Sequence, residues 1–175
     1  MIICISGLSG SGKNSVGELV AAQLGLRVVK NTFKDEARKK GIKLMELQKM
    51  ASSDKTFDNQ LDEQIKAEAR KGNCVVVTWL GSWIVENADF RVWLHGSPEE
   101  RAKRISGRDK MKPEESIAHI NARDENNRMR YLKYYGIDIF NHENFDMEID
   151  TGKYNPEQIA EMIVKSVKEK VETRN

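Results

Sequence analysis

A glycine-rich segment directly behind an apolar run constrains this chain more than any other feature of its sequence. Residues 7–15 read GLSGSGKNS and separate the apolar residues 2–5 from a helical pattern. Its three glycines allow the backbone to curl, so that N–H groups converge at the positive end of the next helix. This strand–loop–helix order, with Lys13 directly after the last glycine, predicts a loop that holds the phosphates of a nucleoside triphosphate.

The residues of this loop have different expected roles. We expect these residues to contact the donor triphosphate: Gly7, Leu8, Ser9, Gly10, Ser11, Gly12, Lys13, Asn14 and Ser15. Lys13 is predicted to reach the terminal phosphates as a mobile point charge. Ser or Thr usually follows the lysine and binds Mg²⁺ through its hydroxyl, but here the residue is Asn14. Asn14 offers a carbonyl oxygen and Ser15 a hydroxyl one residue later, and we favour Asn14 as the magnesium-side residue.

Further apolar runs along the chain indicate an α/β domain. Strands are predicted over residues 2–5, 26–29, 74–78, 90–94 and 145–149. Helical patterns separate them, which predicts a parallel sheet, and 175 residues suit one domain over 1–175. The first helix is expected to stop at Gly25, and capping boxes at Ser97 and Asn155 predict two further helix starts.

Two segments interrupt the simple alternation of strands and helices. Residues 32–71 are strongly charged and helix-forming, with sparse apolar anchors, so they predict a helical insertion between the second and third strands. Residues 105–113 contain Gly107 and several basic side chains, and they predict a loop that joins two helices.

Composition excludes several classes of function. The net charge of +2, from 29 basic and 27 acidic residues, argues against a large binding surface for duplex nucleic acid. No apolar run is long enough to cross a bilayer, and no targeting segment is expected before the first strand. Cys4 and Cys74 lie in predicted strands, which favours buried thiols in a reducing compartment. Three scattered histidines predict no metal cage, and we expect a cytoplasmic monomer.

Two rows of polar side chains at three- and four-residue spacing suggest what the chain does with its phosphates. The first row is Arg101, Arg104 and Arg108, and the second is Arg123, Asn127 and Arg130, on a long helix from Pro113 toward Tyr135. Forked donors on both sides of a loop suit the dispersed charge of a phosphoryl group in transfer. For any one arginine, a solvated ion pair is the alternative.

At these residues the chain resembles the cytidylate kinases, particularly the short archaeal type, over nearly its full length. The segments that carry the resemblance are the loop at 7–15, DKTFDNQLD at 54–62, GN at 72–73, RAKRI at 101–105, RDE at 123–125 and RYLKYYGID at 130–138. The resemblance implies a three-layer α/β/α P-loop kinase fold with a five-stranded parallel sheet. It also implies a helical insertion that closes over a nucleoside monophosphate, and a small lid that carries arginines.

The resemblance further implies site residues. The catalytic set is Lys13, Arg104, Arg108 and Arg123, and Arg101 joins the loop at the ATP side. The acceptor set is Lys34, Asp58, Asp62, Trp79, Arg123, Asn127 and Arg130. The implied reaction moves the γ-phosphoryl of ATP, with Mg²⁺, to CMP or dCMP.

The acceptor side departs from the family pattern at several positions. In the turn at 30–34, KNTFK, Lys34 stands in place of an arginine, and Val77 and Trp79 replace an acidic residue and an arginine. These changes leave the accepted base open, and Trp79 and Trp83 either stack on a base or pack in the core. Two alternatives remain: a P-loop kinase with another small acceptor, and a non-catalytic regulatory protein that binds ATP.

Overall fold

The protein, described by a computed structural model over residues 1–30 and 32–173, is built on a five-stranded parallel sheet. The strands are β1 (Ile2–Gly7), β2 (Arg27–Val29), β3 (Cys74–Val77), β4 (Phe90–His95) and β5 (Met147–Asp150). Their order across the sheet is β2-β3-β1-β4-β5, and every neighbouring pair is parallel. Asn31, in the turn singled out above, lies outside the described residues.

Helices cover both faces of the sheet. They are α1 (Lys13–Leu24), α2 (Phe33–Lys40), α3 (Leu44–Ser53), α4 (Thr56–Arg70), α5 (Gly81–Ile84), α6 (Pro98–Asp109), α7 (Pro113–Tyr135) and α8 (Pro156–Glu172). Helices α1 and α8 pack on one face, and α4, α5 and α7 pack on the other. The predicted three-layer α/β/α architecture is therefore confirmed.

The apolar residues 2–5 of the central strand are explained by burial on both faces of the sheet. Ile3 and Ile5 of β1 pack into the core beneath α1 and α8, whereas Ile2 and Cys4 pack into the core on the opposite face. A strand segment buried on both faces favours apolar residues at successive positions, and burying a large aliphatic side chain such as isoleucine contributes roughly 1.5–3 kcal/mol. Ser6, which also lies in β1, is buried and shares a hydrogen bond of 2.8 Å with Ser82 Oγ. This rigid strand ends at Gly7, where the glycine-rich loop begins.

Helix boundaries agree with the capping signals, with one exception. Both predicted capping boxes are present, at Ser97 and Asn155, and Gly25 ends α1 at a φ of 64°. The predicted loop over 105–113 is wrong for its first half, because α6 continues to Asp109 and ends at Lys110 with a φ of 55°. Gly107 does not break this helix, since isolated glycines are tolerated there.

The remaining differences are small shifts in strand ends. Leu26 lies outside β2 because its N–H bonds to Ala21 O at 2.9 Å and completes the end of α1. Phe145 precedes β5 because its N–H bonds to His142 O at 2.9 Å in a turn. The segment predicted as a helical insertion contains α2, α3 and α4. Within the described part of the chain, no helix has both the length and the apolar character needed to cross a membrane.

Candidate active site

The glycine-rich loop curls between β1 and α1 because its glycines meet steric conditions that other residues would not. A Cβ atom at Gly7 would lie 2.4 Å from Leu94 O. Gly10 and Gly12 adopt φ values of 76° and 83°, in the left-handed region that favours glycine. The loop is therefore fixed by backbone geometry, and Gly12 directs its chain into the N-terminus of α1.

Lys13 is the first residue of α1 and lies half-buried at the floor of a cleft. Its Nζ donates to Leu8 O at 3.2 Å and sits 5.4 Å from the ring centroid of Trp79. Desolvation, and next the charge of Arg123, lower the pKa of Lys13 to about 7. A bound anion would favour the charged form and raise this pKa again.

Arg101, predicted at the ATP side, lies beneath the loop. Its Nη1 donates to Ser9 O at 2.9 Å and to Asp124 Oδ2 at 2.6 Å. Asp124 Oδ1 in turn accepts from Ser9 N at 3.3 Å, so the pair clamps the peptide groups of Ser9. Arg101 is 4 % exposed and lines neither of the two spaces described next, which points to a positioning role.

A cavity that we call the smaller cavity lies on one side of the loop, with about 740 Å³ of space that includes open solvent. Arg104 borders it and joins two chain segments, because its Nη1 donates to Gly10 O at 3.2 Å and to Thr151 Oγ1 at 2.8 Å. Tyr154 and Ser15 lie on its walls. Sequence reasoning missed Thr151 and Tyr154, which follow β5 and carry no motif of their own.

A cleft that we call the main cleft opens between the loop, the helical insertion and α7, with about 840 Å³ of space that includes open solvent. Predicted site residues that line it are Ser9, Gly10, Lys13, Asn14, Lys34, Asp58, Asp62, Trp79, Arg108, Arg123 and Asn127. Gly10 and Arg108 also line the smaller cavity, so the two spaces adjoin at the loop. Residues predicted to bind ATP and residues predicted to bind the phosphoryl acceptor therefore line the same cleft.

Arg130 is a predicted acceptor residue that does not line this cleft. It is 2 % exposed, and its Nε donates to Asp58 Oδ2 at 2.6 Å. Its Nη1 donates to Asn126 Oδ1 at 2.7 Å, and its guanidinium lies 4.7 Å from the ring centroid of Phe33. Arg130 thus holds Asp58 and Phe33, which do line the cleft, in place from behind.

The carboxylates of the cleft differ in their environments. Asp58 is paired with Arg130, whereas Asp62 accepts a hydrogen bond from the Tyr135 hydroxyl. Desolvation raises the pKa of Asp62 to about 6. Asp62 therefore changes charge around pH 6 rather than around pH 4.

The two candidate magnesium-side residues point to different spaces. Asn14 lines the main cleft and Ser15 lines the smaller cavity. Val77, at the position of the family acid, is fully buried. Among residues 1–30 and 32–173 there is no group of three or more His, Cys, Asp or Glu side chains that would hold a metal by itself.

The two tryptophans of the 77–83 segment have different surroundings. Trp79 lines the main cleft beside Lys13. Trp83 packs against Phe145 and Trp93, with ring centroids 4.9 and 5.8 Å away, and is not a cleft residue. For Trp83 the packing alternative is therefore the correct one.

Comparison with known proteins identifies the family of this chain. The model of the cytidylate kinase-like family matches residues 33–153. This chain belongs to the cytidylate kinase-like family. It is 39% identical to the cytidylate kinase of Ignicoccus hospitalis over 165 residues, 93% of this chain and 96% of that protein. It is 36% identical to the cytidylate kinase of Archaeoglobus fulgidus over 173 residues, 97% of this chain and 96% of that protein.

Solved structures support the P-loop kinase fold of this cytidylate kinase-like protein. Deoxyadenosine kinase from M. mycoides, solved with dCMP and dCDP, superposes with a TM-score of 0.60 at 15% identity, over 97% of this chain and 100% of that one. Shikimate kinase from Acinetobacter baumannii superposes with a TM-score of 0.59 at 18% identity, over 95% and 92% of the two chains. At these identities the likeness concerns the fold alone.

One cleft residue of this cytidylate kinase-like protein gave no signal in the sequence. Gln48 lies on α3, within a charged helical segment that matches no motif. It is 1% exposed, lines the main cleft, and donates from Nε2 to Asn127 Oδ1 at 3.1 Å. Only the packing of α3 on α7 brings this side chain into the site.

Proposed function

We propose that this chain is a nucleoside monophosphate kinase that transfers the γ-phosphoryl of ATP to CMP or dCMP, forming CDP or dCDP and ADP. The observation that carries the proposal is the main cleft, which joins Lys13 of the glycine-rich loop to Arg123 and Asn127 of α7. The names of the family relatives, cytidylate kinase in each case, support the choice of acceptor.

The donor is proposed to span both cavities. The nucleoside of ATP would occupy the smaller cavity between Arg104 and Tyr154, and its phosphates would cross the loop into the main cleft. Gly10 and Arg108, which border both spaces, lie along this path. Loop N–H groups at the positive end of α1 and the charge of Lys13 would hold the β- and γ-phosphates.

The acceptor phosphate is proposed to lie near Lys34 and Arg123, opposite Lys13. An oxygen of this phosphate forms a bond to the γ-phosphorus, while the bond from that phosphorus to the β,γ-bridging oxygen breaks and ADP leaves. Such a transfer needs positioning and charge neutralisation more than a strong base. Arg123, whose buried Nε finds no partner in the described chain, is suited to the transferring group.

Closure of the insertion over the cleft would exclude water from the reaction. Lys34 of α2 pairs with Asp109 at the end of α6 at 3.3 Å, which links the insertion to the arginine-bearing helix. Asp109 also pairs with Arg108 at 2.6 Å. The phosphates of two substrates would compete with this carboxylate for both cations.

We propose Mg²⁺ as the cofactor that accompanies ATP. Mg²⁺ keeps several waters and binds through substrate phosphates with few protein oxygens, which fits a site without a preformed metal cage. Asn14 lines the main cleft and is exposed, so its side-chain oxygen is the candidate ligand. When bound, the ion would neutralise charge on the transferring phosphates.

We propose that the enzyme works as a cytoplasmic monomer on small substrates. Cys4 and Cys74 are buried free thiols, as expected in a reducing compartment, and burial raises the pKa of Cys4 to about 12. The near balance of 29 basic and 27 acidic residues does not favour a nucleic-acid partner.

A coupled assay for ADP release tests the proposed function. The purified protein is incubated with ATP and Mg²⁺ and with CMP, dCMP, UMP, AMP, GMP or TMP in turn, and products are separated by chromatography. We expect equal amounts of ADP and CDP, or ADP and dCDP. Product from a different acceptor alone would identify another small-molecule kinase. ATP binding with no product on any of these six acceptors would contradict the proposed function.

A further inference from the structure

The side-chain amides of Gln48 and Asn127 meet in the main cleft, and one of their buried polar atoms has no hydrogen-bond partner in the part of the chain that the structure describes. Gln48 Nε2 donates to Asn127 Oδ1 at 3.1 Å, and both residues are at least 98% buried, being 1% and 2% exposed. Gln48 Oε1 is buried and finds no partner anywhere in residues 1–30 and 32–173. A buried amide oxygen without a donor is rare in proteins and needs an explanation.

The pair is held firmly between α3 and α7. Asn126 Nδ2 donates to Ser52 Oγ at 2.8 Å, and Ser52 Oγ donates to Gln48 O at 2.9 Å. The Tyr134 hydroxyl lies 3.1 Å from Ala51 O, an acceptor near the end of α3. These bonds fix the backbone of α3 on α7, and burial together with the bond to Asn127 Oδ1 restrains the Gln48 side chain itself.

The free groups of this pair have a defined chemical preference. Because Gln48 Nε2 is used on Asn127, its Oε1 remains as an acceptor, and Asn127 keeps its Nδ2 group, which is only a donor. Cytosine presents an amino donor, N4, beside an acceptor, N3, whereas uracil presents an acceptor, O4, beside an N3–H donor. An acceptor facing O4 would leave two buried oxygens opposed.

We propose that the Gln48–Asn127 pair selects the base of the acceptor, with Gln48 Oε1 accepting a hydrogen bond from the exocyclic amine of cytosine. This inference rests on the proposed function and adds to it a specificity determinant: amino-bearing pyrimidines are accepted and uracil is discriminated against.

The test compares CMP with UMP at each variant. For the unaltered protein we expect kcat/KM to favour CMP over UMP at least tenfold. Gln48→Leu should lower kcat/KM for CMP about 10- to 100-fold, while the ratio of CMP to UMP falls toward unity and KM for ATP stays within about twofold. A merely structural Gln48 would lower the values for CMP and UMP together and leave their ratio unchanged, which would overturn the proposal.

A second variant keeps the proposal testable if Gln48→Leu folds poorly. Gln48→Glu retains oxygens that accept, and Asn127 can then donate to one of them, so the preference for CMP should persist. Loss of that preference in a folded Gln48→Glu protein would contradict the assignment. Gln23→Leu, on the exposed surface of α1, is the matched control and should change neither ratio nor KM.

The outcomes separate this inference from the proposed function. If the unaltered protein phosphorylates CMP and UMP equally, the kinase assignment stands and the amide pair is not the selector. If it phosphorylates neither, the proposed function fails and the inference fails with it.

Discussion

The donor and acceptor sides of the cleft are built in different ways. The proposed donor side centres on one short loop whose shape is set by its own glycines and whose backbone N–H groups are proposed to hold the phosphates. The acceptor side is assembled from α2, α3 and α4, which follow one another in the chain, and from α7, which lies far from them in sequence. A local motif can thus supply phosphate binding, whereas acceptor choice depends on the tertiary packing of several helices.

This difference explains which parts of the site the sequence reveals. The loop, Gly25 and the two capping boxes follow from local backbone chemistry, and the structure has all of them. The five strands and their parallel pairing follow from apolar runs separated by helices. The ends of the strands differ from the prediction by one or two residues.

The arginine side chains show where local reasoning ends. Arg101 and Arg104 are three residues apart in one row, but one supports the loop from below and the other borders the smaller cavity. Arg130 was predicted to contact the acceptor, yet it pairs with Asp58, which is 72 residues away in sequence. This pairing depends on how α4 packs beside α7, and the packing of two helices distant in the chain is not evident from a single sequence.

The largest predicted effect is on the donor side. Lys13→Ala should lower kcat by about 100-fold or more, because a charge at the transferring phosphate is lost from a water-poor site. Its unfolding free energy should change little, since Lys13 makes one hydrogen bond, to Leu8 O. The measurements are steady-state kinetics and urea denaturation of the same preparation. Unchanged turnover in a folded variant would refute the donor assignment.

The next predicted effect is on the unfolding free energy, which should change at the acceptor side and not at Lys13. Arg130→Ala should destabilise the fold by roughly 3–5 kcal/mol, because it leaves Asp58 buried without its ion-pair partner. The double variant Arg130→Ala with Asp58→Leu should recover part of this loss, since no unpaired charge then remains. Urea denaturation gives both values. An unaltered unfolding midpoint, with a higher KM for CMP alone, would instead favour direct contact with the acceptor.

A smaller effect concerns protons on the donor side. The pKa of Lys13 is lowered to about 7, so much of the free enzyme carries a neutral lysine between pH 7 and 8. Binding of ATP should raise that pKa and draw a proton from solution, and ATP affinity should fall as pH rises through this window. Calorimetry in buffers of different ionisation enthalpy measures the uptake. Lys13→Arg, which stays charged, should abolish it; equal uptake in that variant would assign the proton elsewhere.

The smallest predicted effect is at the magnesium side. Asn14→Thr should preserve or modestly raise Mg²⁺-dependent turnover, because it restores a hydroxyl next to the lysine. Turnover is measured as a function of Mg²⁺ concentration, with Ser15→Ala as the comparison, since Ser15 borders the smaller cavity. Abolished ATP binding in Asn14→Thr would show that Asn14 makes a contact other than the one proposed.

The central claim is that the two dissimilar sides form one continuous site for a donor and an acceptor. The most direct measurement is the affinity of a bisubstrate analogue in which adenosine and cytidine are joined through five phosphates. If the phosphates cross from the smaller cavity past Gly10 into the main cleft, this compound should bind at least about 100-fold more tightly than ATP or CMP alone. Binding no tighter than that of ATP would contradict the account.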